Sequence, residues 1–257
     1  MGCAGKHARV TVGSVTTQAF DAPLARAWLT TAAEAVAARR DELTDLDSAI
    51  GDGDHGANLS RGFAAVTAAL AEQSEVTAGQ VLTTAGSTLI SKVGGASGPL
   101  YGSALRAMGK SIEAANEQRR NGEGPNCDGP DATNILAALQ AGLDAVTRLG
   151  GAKVGDKTMV DAYAPAVEAF SRAISAGAGT STGTGTPAGA VLLQAVIAAA
   201  EAAEQGAKDT IPLVAHKGRA SYLGERSAGH QDPGATSTAL LFRALADVVV
   251  AAARRGR

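Results

Sequence analysis

Alanine-rich segments with helical spacing alternate with glycine-rich connections along almost the whole chain. Alanine has the highest helix propensity of all residues, and its small side chain allows neighbouring helices to approach closely. The β-branched and aromatic runs that strands favour are nearly absent, and the run at residues 248–250 lies inside a helical pattern. The sequence therefore predicts an all-α fold without a β-sheet.

Apolar residues that recur three and four positions apart predict eight helices. The predicted helices cover residues 21–43, 57–73, 77–92, 99–118, 131–149, 157–176, 187–207 and 234–255. Asp21, Thr77 and Asp131 have the side chains and positions of N-caps, and Pro99 and Pro187 fall at helix starts, where a missing N–H costs little.

The composition excludes several classes of protein. A net charge of −2 with 19% charged residues argues against a disordered chain and against a general nucleic-acid surface. The cysteines, Cys3 and Cys127, are too few for a disulfide scaffold or a four-cysteine zinc site. No uninterrupted apolar run approaches the ~18 residues of a membrane span, and the N-terminus lacks the apolar core of a secretion signal. We expect a soluble cytoplasmic protein that binds neither nucleic acid nor membrane.

The connections between the predicted helices are of two kinds. Those at 72–76, 119–130 and 177–187 are bland, and the last two look like tolerated insertions. The connections after the odd-numbered helices carry glycine beside acidic, basic and hydroxyl residues; they cover 46–58, 93–102, 149–158 and 216–236. If consecutive helices run antiparallel, these four polar connections meet at one end of the fold.

Three carboxylates, Asp47, Asp52 and Asp54, lie within eight residues, and two of them are flanked by glycine. Carboxylates held so close repel one another, and a shared cation relieves the repulsion. Hard oxygen ligands suit Mg²⁺, which takes few carboxylates and completes its shell with phosphate and water. An EF-hand is excluded because the twelfth position from Asp52 is Phe63 and not glutamate. The alternative is a solvated turn in which Asp and Gly supply only turn geometry.

Two other polar connections have the chemistry of a phosphate site. Residues 94–99 place glycines before a helix N-terminus, where backbone N–H groups approach anions, although a tight helix–helix turn is the alternative. Lys217, Arg219 and Arg226 add cations, which a flexible charged linker would also carry. His55, beside the acids, is a candidate for the phosphate or metal shell or a structural histidine.

The glycine-rich stretch at 150–158 resembles a Walker A loop with one residue too many before its lysine. No predicted strand precedes it, so we reject the P-loop interpretation. Asp156 and Lys157 are instead expected to form the N-cap and first turn of the sixth helix. The residues alone therefore indicate a helical domain that binds a magnesium–phosphate ligand, such as a nucleotide, at one end.

The sequence resembles the L subunit of dihydroxyacetone kinase, the nucleotide-binding partner of a separate substrate-binding subunit. The resemblance depends on residues 46–58 (LDSAIGDGDHGAN), 61–63, 94–102, 155–159, 217–227 (KGRASYLGERS) and 230–237. It spans about residues 24–250 in order. It divides the chain into an N-terminal extension, 1–20, expected to be flexible, and an L-type domain, 21–257.

The resemblance implies a closed barrel of eight antiparallel helices that holds ADP or ATP and two Mg²⁺ ions at one end. It implies that Asp47, Asp52 and Asp54 bind the metal ions and, with Arg219, act in catalysis. The positions implied to contact the nucleotide are His55, Gly56, Ala57, Asn58, Ala96, Ser97, Gly150, Met159, Arg219, Asp232, Pro233 and Gly234.

The resemblance also implies partners and leaves alternatives open. The sugar, dihydroxyacetone or another small keto-sugar such as erythrulose, would bind to a separate K subunit. The phosphate donor is either ATP or a phosphoenolpyruvate relay through a phosphotransferase-system M subunit that recharges bound ADP. A second class of function is a nucleotide-loaded, non-enzymatic partner of a transcription regulator. A homodimer is a further expectation.

Overall fold

The structure, a computed structural model, describes residues 20–74, 76–122, 131–179 and 188–255. This part of the chain is helical and contains no strand, which confirms the predicted all-α class. The predicted N-terminal extension lies outside the described residues apart from Phe20, as does most of the two predicted insertions, at 123–130 and 180–187.

The described residues form nine α-helices and one 3-10 segment. The helices are α1 (Ala22–Ala38), α2 (Arg40–Ile50), α3 (His55–Ala71), α4 (Ala78–Lys92), α5 (Ser97–Arg120), α6 (Ala132–Gly150), α7 (Val160–Gly179), α8 (Ala188–Asp209) and α9 (Pro233–Arg255). The 3-10 segment, Arg219–Ser227, lies between α8 and α9 in a region that the sequence indicated as a loop.

The first predicted helix, 21–43, differs most from the structure. It is broken at Arg39, whose φ of −106° and ψ of 15° depart from helical values, and then continues as α2 to Ile50. Hydrogen bonds on both sides of the break keep the chain helical, because Arg39 N–H donates to Ala35 O and Leu43 N–H donates to Arg39 O. Buried residues at 43, 47 and 50 extend the apolar face past the polar stretch at 39–42. The helix therefore delivers Asp47 from a helical turn and not from a loop.

Helix packing follows chain order from α3 to α9 and then returns to the beginning, because α9 packs against α1 and α1 packs against α3. The buried Trp28 of α1 fixes this closing contact by donating its indole N–H to Leu241 O of α9 at 2.8 Å. Much of the core is alanine, as at Ala166, Ala195 and Ala203, which are fully enclosed. Small side chains thus allow the helices to pack closely in a core that contains few aromatic rings. The predicted barrel shape stays a prediction.

Among the described residues, α9 is the one helix long and apolar enough to cross a membrane by length and composition alone. Of its most apolar stretch of 18 residues, 72% is buried inside the fold. The helix contacts α1, α7 and α8.

Glycines allow α4 and α5 to touch along their backbones. A Cβ atom at Gly86 of α4 would lie 2.5 Å from the carbonyl oxygen of Gly102 on α5, and a Cβ at Gly102 would lie 2.5 Å from the carbonyl oxygen of Gly86. Two helical turns away along the same contact, Gly79 of α4 and Gly109 of α5 face each other in the same way. Because α5 begins at the polar end of the fold, this contact sets where its first turn lies.

We expect Gly86→Ala to lower the free energy of unfolding by about 1–3 kcal/mol, since the added methyl group must push the two backbones apart. Ser87→Ala, on the exposed side of the same helix, is the matched control and should leave stability unchanged or slightly higher. Urea unfolding followed by circular dichroism measures both. An unchanged midpoint for Gly86→Ala would show that α4 and α5 are not in backbone contact.

Candidate functional site

The N-termini of α3, α5, α7 and α9 meet at a cavity of about 260 Å³. Their first residues, His55, Ser97, Val160 and Pro233, all line it. A helix N-terminus leaves backbone N–H groups without helical partners and carries a partial positive charge, so four of them favour an anion. All four predicted polar connections contribute lining residues, and the inference that they meet at one end agrees with the structure.

An acidic triad, Asp47, Asp52 and Asp54, lies at the edge of this cavity. One carboxylate oxygen from each residue lies within 4.8 Å of the others, a spacing that a shared divalent cation can span. Asp47 is buried, whereas Asp52 and Asp54 are exposed. An all-oxygen set with two solvent-facing members fits Mg²⁺, which keeps water and phosphate in its coordination shell.

The Asp47 carboxylate also holds the loop that carries the other two acids. Its Oδ2 accepts hydrogen bonds from the N–H groups of Asp54 and His55, at 2.9 and 3.1 Å, and so caps the start of α3. Gly51 fits beside it only because it has no Cβ, which would lie 2.1 Å from Asp47 Oδ1. Gly53 turns the chain with a φ of +72°. The side chain of Asp54 forms no capping bond and can turn toward a cation.

Arg219 joins the 3-10 segment to the triad. Its guanidinium group lies 2.9 Å from an Asp52 carboxylate oxygen. The pair is largely exposed, so it contributes little to stability. A small apolar cluster of Ile50, Ala215 and Ala220, below the pair, packs the segment against the end of α2. Arg219 is therefore positioned beside the acids without being locked onto them.

His55 lies at the centre of a chain of hydroxyl groups. Its Nδ1 is 3.0 Å from Ser97 Oγ and its Nε2 is 2.9 Å from Ser237 Oγ. Ser237 Oγ in turn lies 2.7 Å from the hydroxyl of Tyr101, which is 2.8 Å from Thr238 Oγ1. Burial lowers the pKa of His55, although Asp47 and Asp54 oppose the shift. The ring thus links α3, α5 and α9 near their N-termini.

Asp232 caps α9 from a buried position. Its Oδ2 accepts the N–H of Ala235 at 2.7 Å, and its own N–H donates to Thr210 Oγ1 at 2.9 Å. Burial raises the pKa of the Asp232 carboxyl to about 7, with the hydrogen bond from Ala235 and the charge of Lys157 opposing. Among the carboxyl groups that line the cavity, this one has the most strongly shifted pKa.

Most residues implied to contact nucleotide line the cavity. These are His55, Ala96, Ser97, Gly150, Met159, Arg219, Asp232, Pro233 and Gly234. Gly56, Ala57 and Asn58 do not line it. Gly56 faces α2, where a Cβ would lie 2.0 Å from Arg40 O, and the Asn58 side chain accepts a hydrogen bond from Arg61.

Sequence reasoning assigned Lys157 to the wrong environment. Helix α7 begins at Val160, so Asp156 and Lys157 are not its N-cap and first turn. Asp156 instead accepts the N–H of Lys153, and Asp161 accepts the N–H groups of Gly155 and Thr158. The acidic side chains thus stabilise a tight turn before the helix. Only the irregular spacing of apolar residues before 160 could have indicated this.

Tyr101 and Ser237 lie within sequence motifs described above, but the sequence alone predicted no role for them. Tyr101 is buried and lines the cavity, and its hydroxyl contacts the carbonyl oxygen of Gly234 and the hydroxyls of Ser237 and Thr238, all on α9. Its partners are separated from it by more than 130 positions, so no local pattern could reveal the network.

We expect the stability difference between Asp232→Asn and the native protein to change with pH. Because the folded-state pKa is raised from 3.8 to about 7, the folded form holds a proton that the unfolded form releases. Native stability should therefore fall relative to Asp232→Asn as pH rises from 5.5 to 8.5, by about 2 kcal/mol at 1.4 kcal/mol per pKa unit. Urea unfolding at both pH values measures this, with the exposed Asp45→Asn as control. A pH-independent difference would contradict the raised pKa.

Comparison with known proteins agrees with the resemblance seen in the sequence. The model of the DAK2 domain matches residues 49–247. The ADP-binding subunit of PEP-dependent dihydroxyacetone kinase 1 from Listeria innocua is 40% identical over 226 residues, which cover 88% of this chain and 96% of that protein. L-erythrulose 1-kinase from Mycolicibacterium smegmatis is 37% identical over 208 residues, 80% of this chain and 32% of that protein.

A solved structure shares the fold. The dihydroxyacetone kinase of C. freundii, crystallised in complex with AMP-PNP and Mg²⁺, aligns over 96% of this chain and 38% of its own, with a TM-score of 0.60 and 23% identity. The family match covers most of the helical domain, and the Listeria relative extends it to nearly the full length of an L subunit. The chain therefore belongs to the DAK2 domain family and is a relative of the ADP-binding L subunits of dihydroxyacetone kinases.

Proposed function

We propose that the chain is the nucleotide-binding, phosphoryl-transferring subunit of a kinase for dihydroxyacetone or a related keto-sugar. It holds ADP or ATP with two Mg²⁺ ions and passes phosphate to a sugar on a separate K subunit. The observation that carries the proposal is that an acidic triad and four helix N-termini face one cavity. The names of the relatives, ADP-binding subunits and erythrulose kinases, support the same chemistry.

The residues of the chain have distinct parts in this proposal. Asp47, Asp52 and Asp54 bind the metal ions, which when present neutralise charge on the transferring phosphoryl group. The first turn of α5 offers backbone N–H groups to phosphate oxygens. Arg219 moves between Asp52, where it lies in the structure, and the phosphates, which a guanidinium group can bind bidentately.

The nucleotide base fits the apolar side of the cavity. Its apolar lining residues are Leu100, Val146, Ala152 and Met159. Asp232 and Gly234, at the start of α9, lie next to Met159, because a Cβ at Gly234 would come within 3.6 Å of its side chain. A flat base on these side chains would direct the phosphates toward the acids, so the reaction depends on positioning and charge.

The chain needs no protein nucleophile under this proposal. Both ring nitrogens of His55 are engaged by serine hydroxyls, so the ring orients groups and does not attack. A transfer between nucleotide and sugar can then occur directly when the K subunit docks over the cavity. We place the subunit in the cytoplasm, as for a soluble partner of the K subunit.

Two alternatives accompany the proposal. In the first, ADP stays bound and is recharged by a phosphotransferase-system M subunit, as the name of the PEP-dependent Listeria relative suggests. In the second, the nucleotide-loaded chain regulates a transcription factor without catalysis. A homodimer remains a separate prediction.

Reconstitution tests the proposal. Purified chain is mixed with an L-free K subunit and dihydroxyacetone or erythrulose, and sugar phosphate is measured with ATP alone and with the phosphoenolpyruvate relay. We expect product in one of the two donor arms. Asp52→Asn should lower the rate at least 100-fold, because it removes a charge from the metal site while helicity is retained.

The exposed Asp45→Asn on α2 is the matched control and should keep the native rate. Product from ATP alone identifies the direct donor, and product only with the relay identifies bound ADP as cofactor. No product in either arm, from a chain that still binds MgADP, would favour the regulatory alternative. An unchanged rate for Asp52→Asn would contradict the metal assignment.

A further inference from the structure

Lys157 is the most unusual residue near the cavity. Its side chain is 1% exposed, although a lysine ammonium group is rarely enclosed. Among the described residues it is also the single non-glycine residue with a positive φ, at 62°. Such a backbone conformation costs of order 1–3 kcal/mol and persists only where surrounding contacts impose it.

The ammonium group of Lys157 is satisfied by backbone carbonyl groups. It donates to Thr210 O at 2.7 Å, to Leu213 O at 3.2 Å and to His230 O, and Ile211 O lies at 3.5 Å. In the described part of the chain no carboxylate forms an ion pair with it, although Asp161 and Asp232 raise its pKa against the lowering effect of burial. Four carbonyl oxygens thus surround a group that has three N–H donors, which leaves none for a phosphate.

These carbonyls lie at the two ends of one long segment, residues 210–232. Thr210 and Leu213 begin the segment, directly after α8, and His230 is close to its end. Lys157 thus joins the two ends of a loop of more than twenty residues, which the Gly229 N–H also joins by donating to Ile211 O at 2.7 Å. Ordering such a loop is costly in conformational entropy, and the buried donor at its base offsets part of that cost.

The segment carries residues that the proposed function requires. Arg219, on the 3-10 segment, reaches Asp52 of the triad, and Asp232 caps α9. Thr210 joins the lysine to Asp232, since its carbonyl accepts from Lys157 Nζ and its hydroxyl accepts from the Asp232 N–H. Lys157 and the two residues after it, Thr158 and Met159, all line the cavity.

We propose that Lys157 is a positioning residue that holds residues 210–232 against the cavity and so sets the places of Arg219 and Asp232. It acts through backbone carbonyls and does not touch the nucleotide. The inference builds on the proposed nucleotide function. It distinguishes Lys157 from the phosphate-binding lysine that its place in a glycine-rich stretch would suggest.

Lys157→Met tests this, because methionine has similar length and volume but no donor. Lys153→Met, on an exposed lysine of the same turn, is the matched control. Isothermal titration with MgADP is performed well below the unfolding midpoint of each variant. We expect Lys157→Met to bind at least tenfold more weakly with helicity intact, and Lys153→Met to bind as the native chain does.

Hydrogen exchange of the nucleotide-free chain supplies a second measurement that needs no ligand. We expect peptides covering 210–232 to exchange faster in Lys157→Met, while peptides from α4 and α5 keep their protection. A lysine that serves only global stability would instead raise exchange throughout and leave the MgADP affinity of the folded molecules unchanged. That result, or unchanged exchange in 210–232, would overturn the proposal.

Thr210→Val is the second variant, for use if Lys157→Met fails to fold. It keeps the carbonyl that accepts from Lys157 but removes the hydroxyl that accepts from Asp232. We expect faster exchange around Asp232 and several-fold weaker MgADP binding; native values for both would overturn the proposal. If the native chain binds no MgADP, the proposed function fails, whereas exchange in 210–232 still decides whether Lys157 holds the segment.

Discussion

One carboxylate, that of Asp47, connects the fold to the site. Its Oδ2 accepts the N–H groups of Asp54 and His55 at the start of α3, and this contact closes the loop that presents Asp52 and Asp54. The contact exists because the chain continues as α2 after the break at Arg39 and places Asp47 in the last turn of α2. If the helical chain ended at the break, the three acids would not meet. The acidic triad is therefore a product of helix geometry as much as of sequence spacing.

Negative side chains and the positive ends of helix dipoles lie around the same cavity. Three carboxylates lie within 4.8 Å of one another, while four helix N-termini point toward the same space. The acids attract cations and repel free phosphate, whereas the helix ends attract phosphate. A ligand that carries both, a nucleotide phosphate with its divalent cation, satisfies the two sets together. Neither set alone would select this ligand.

The sequence predicts the parts of the fold that depend on local physics. Helix existence follows from apolar spacing, and Thr77 and Asp131 do cap α4 and α6. The placing of polar connections at one end follows from antiparallel packing. The acids at 47–54 are grouped in sequence and stay grouped in space because a short loop joins them.

Other features depend on contacts between distant residues, which no local pattern encodes. The break at Arg39 is concealed because apolar positions continue on both sides of it. The sequence around Lys157 predicts a helix start. Its enclosure depends on carbonyl groups of residues 210–230, which are distant in sequence. The hydroxyl chain from Ser97 through His55 to Tyr101 joins three helices. The residues of these networks were visible in motifs, but their partners were not.

The central claim is that the triad and the helix N-termini bind one ligand jointly. A crystal structure of the chain with ADP and Mn²⁺, analysed by anomalous diffraction, tests this most directly. The account predicts two manganese peaks beside Asp47, Asp52 and Asp54, with the diphosphate at the first turn of α5. Manganese bound away from the triad, or a diphosphate outside the cavity, would contradict it.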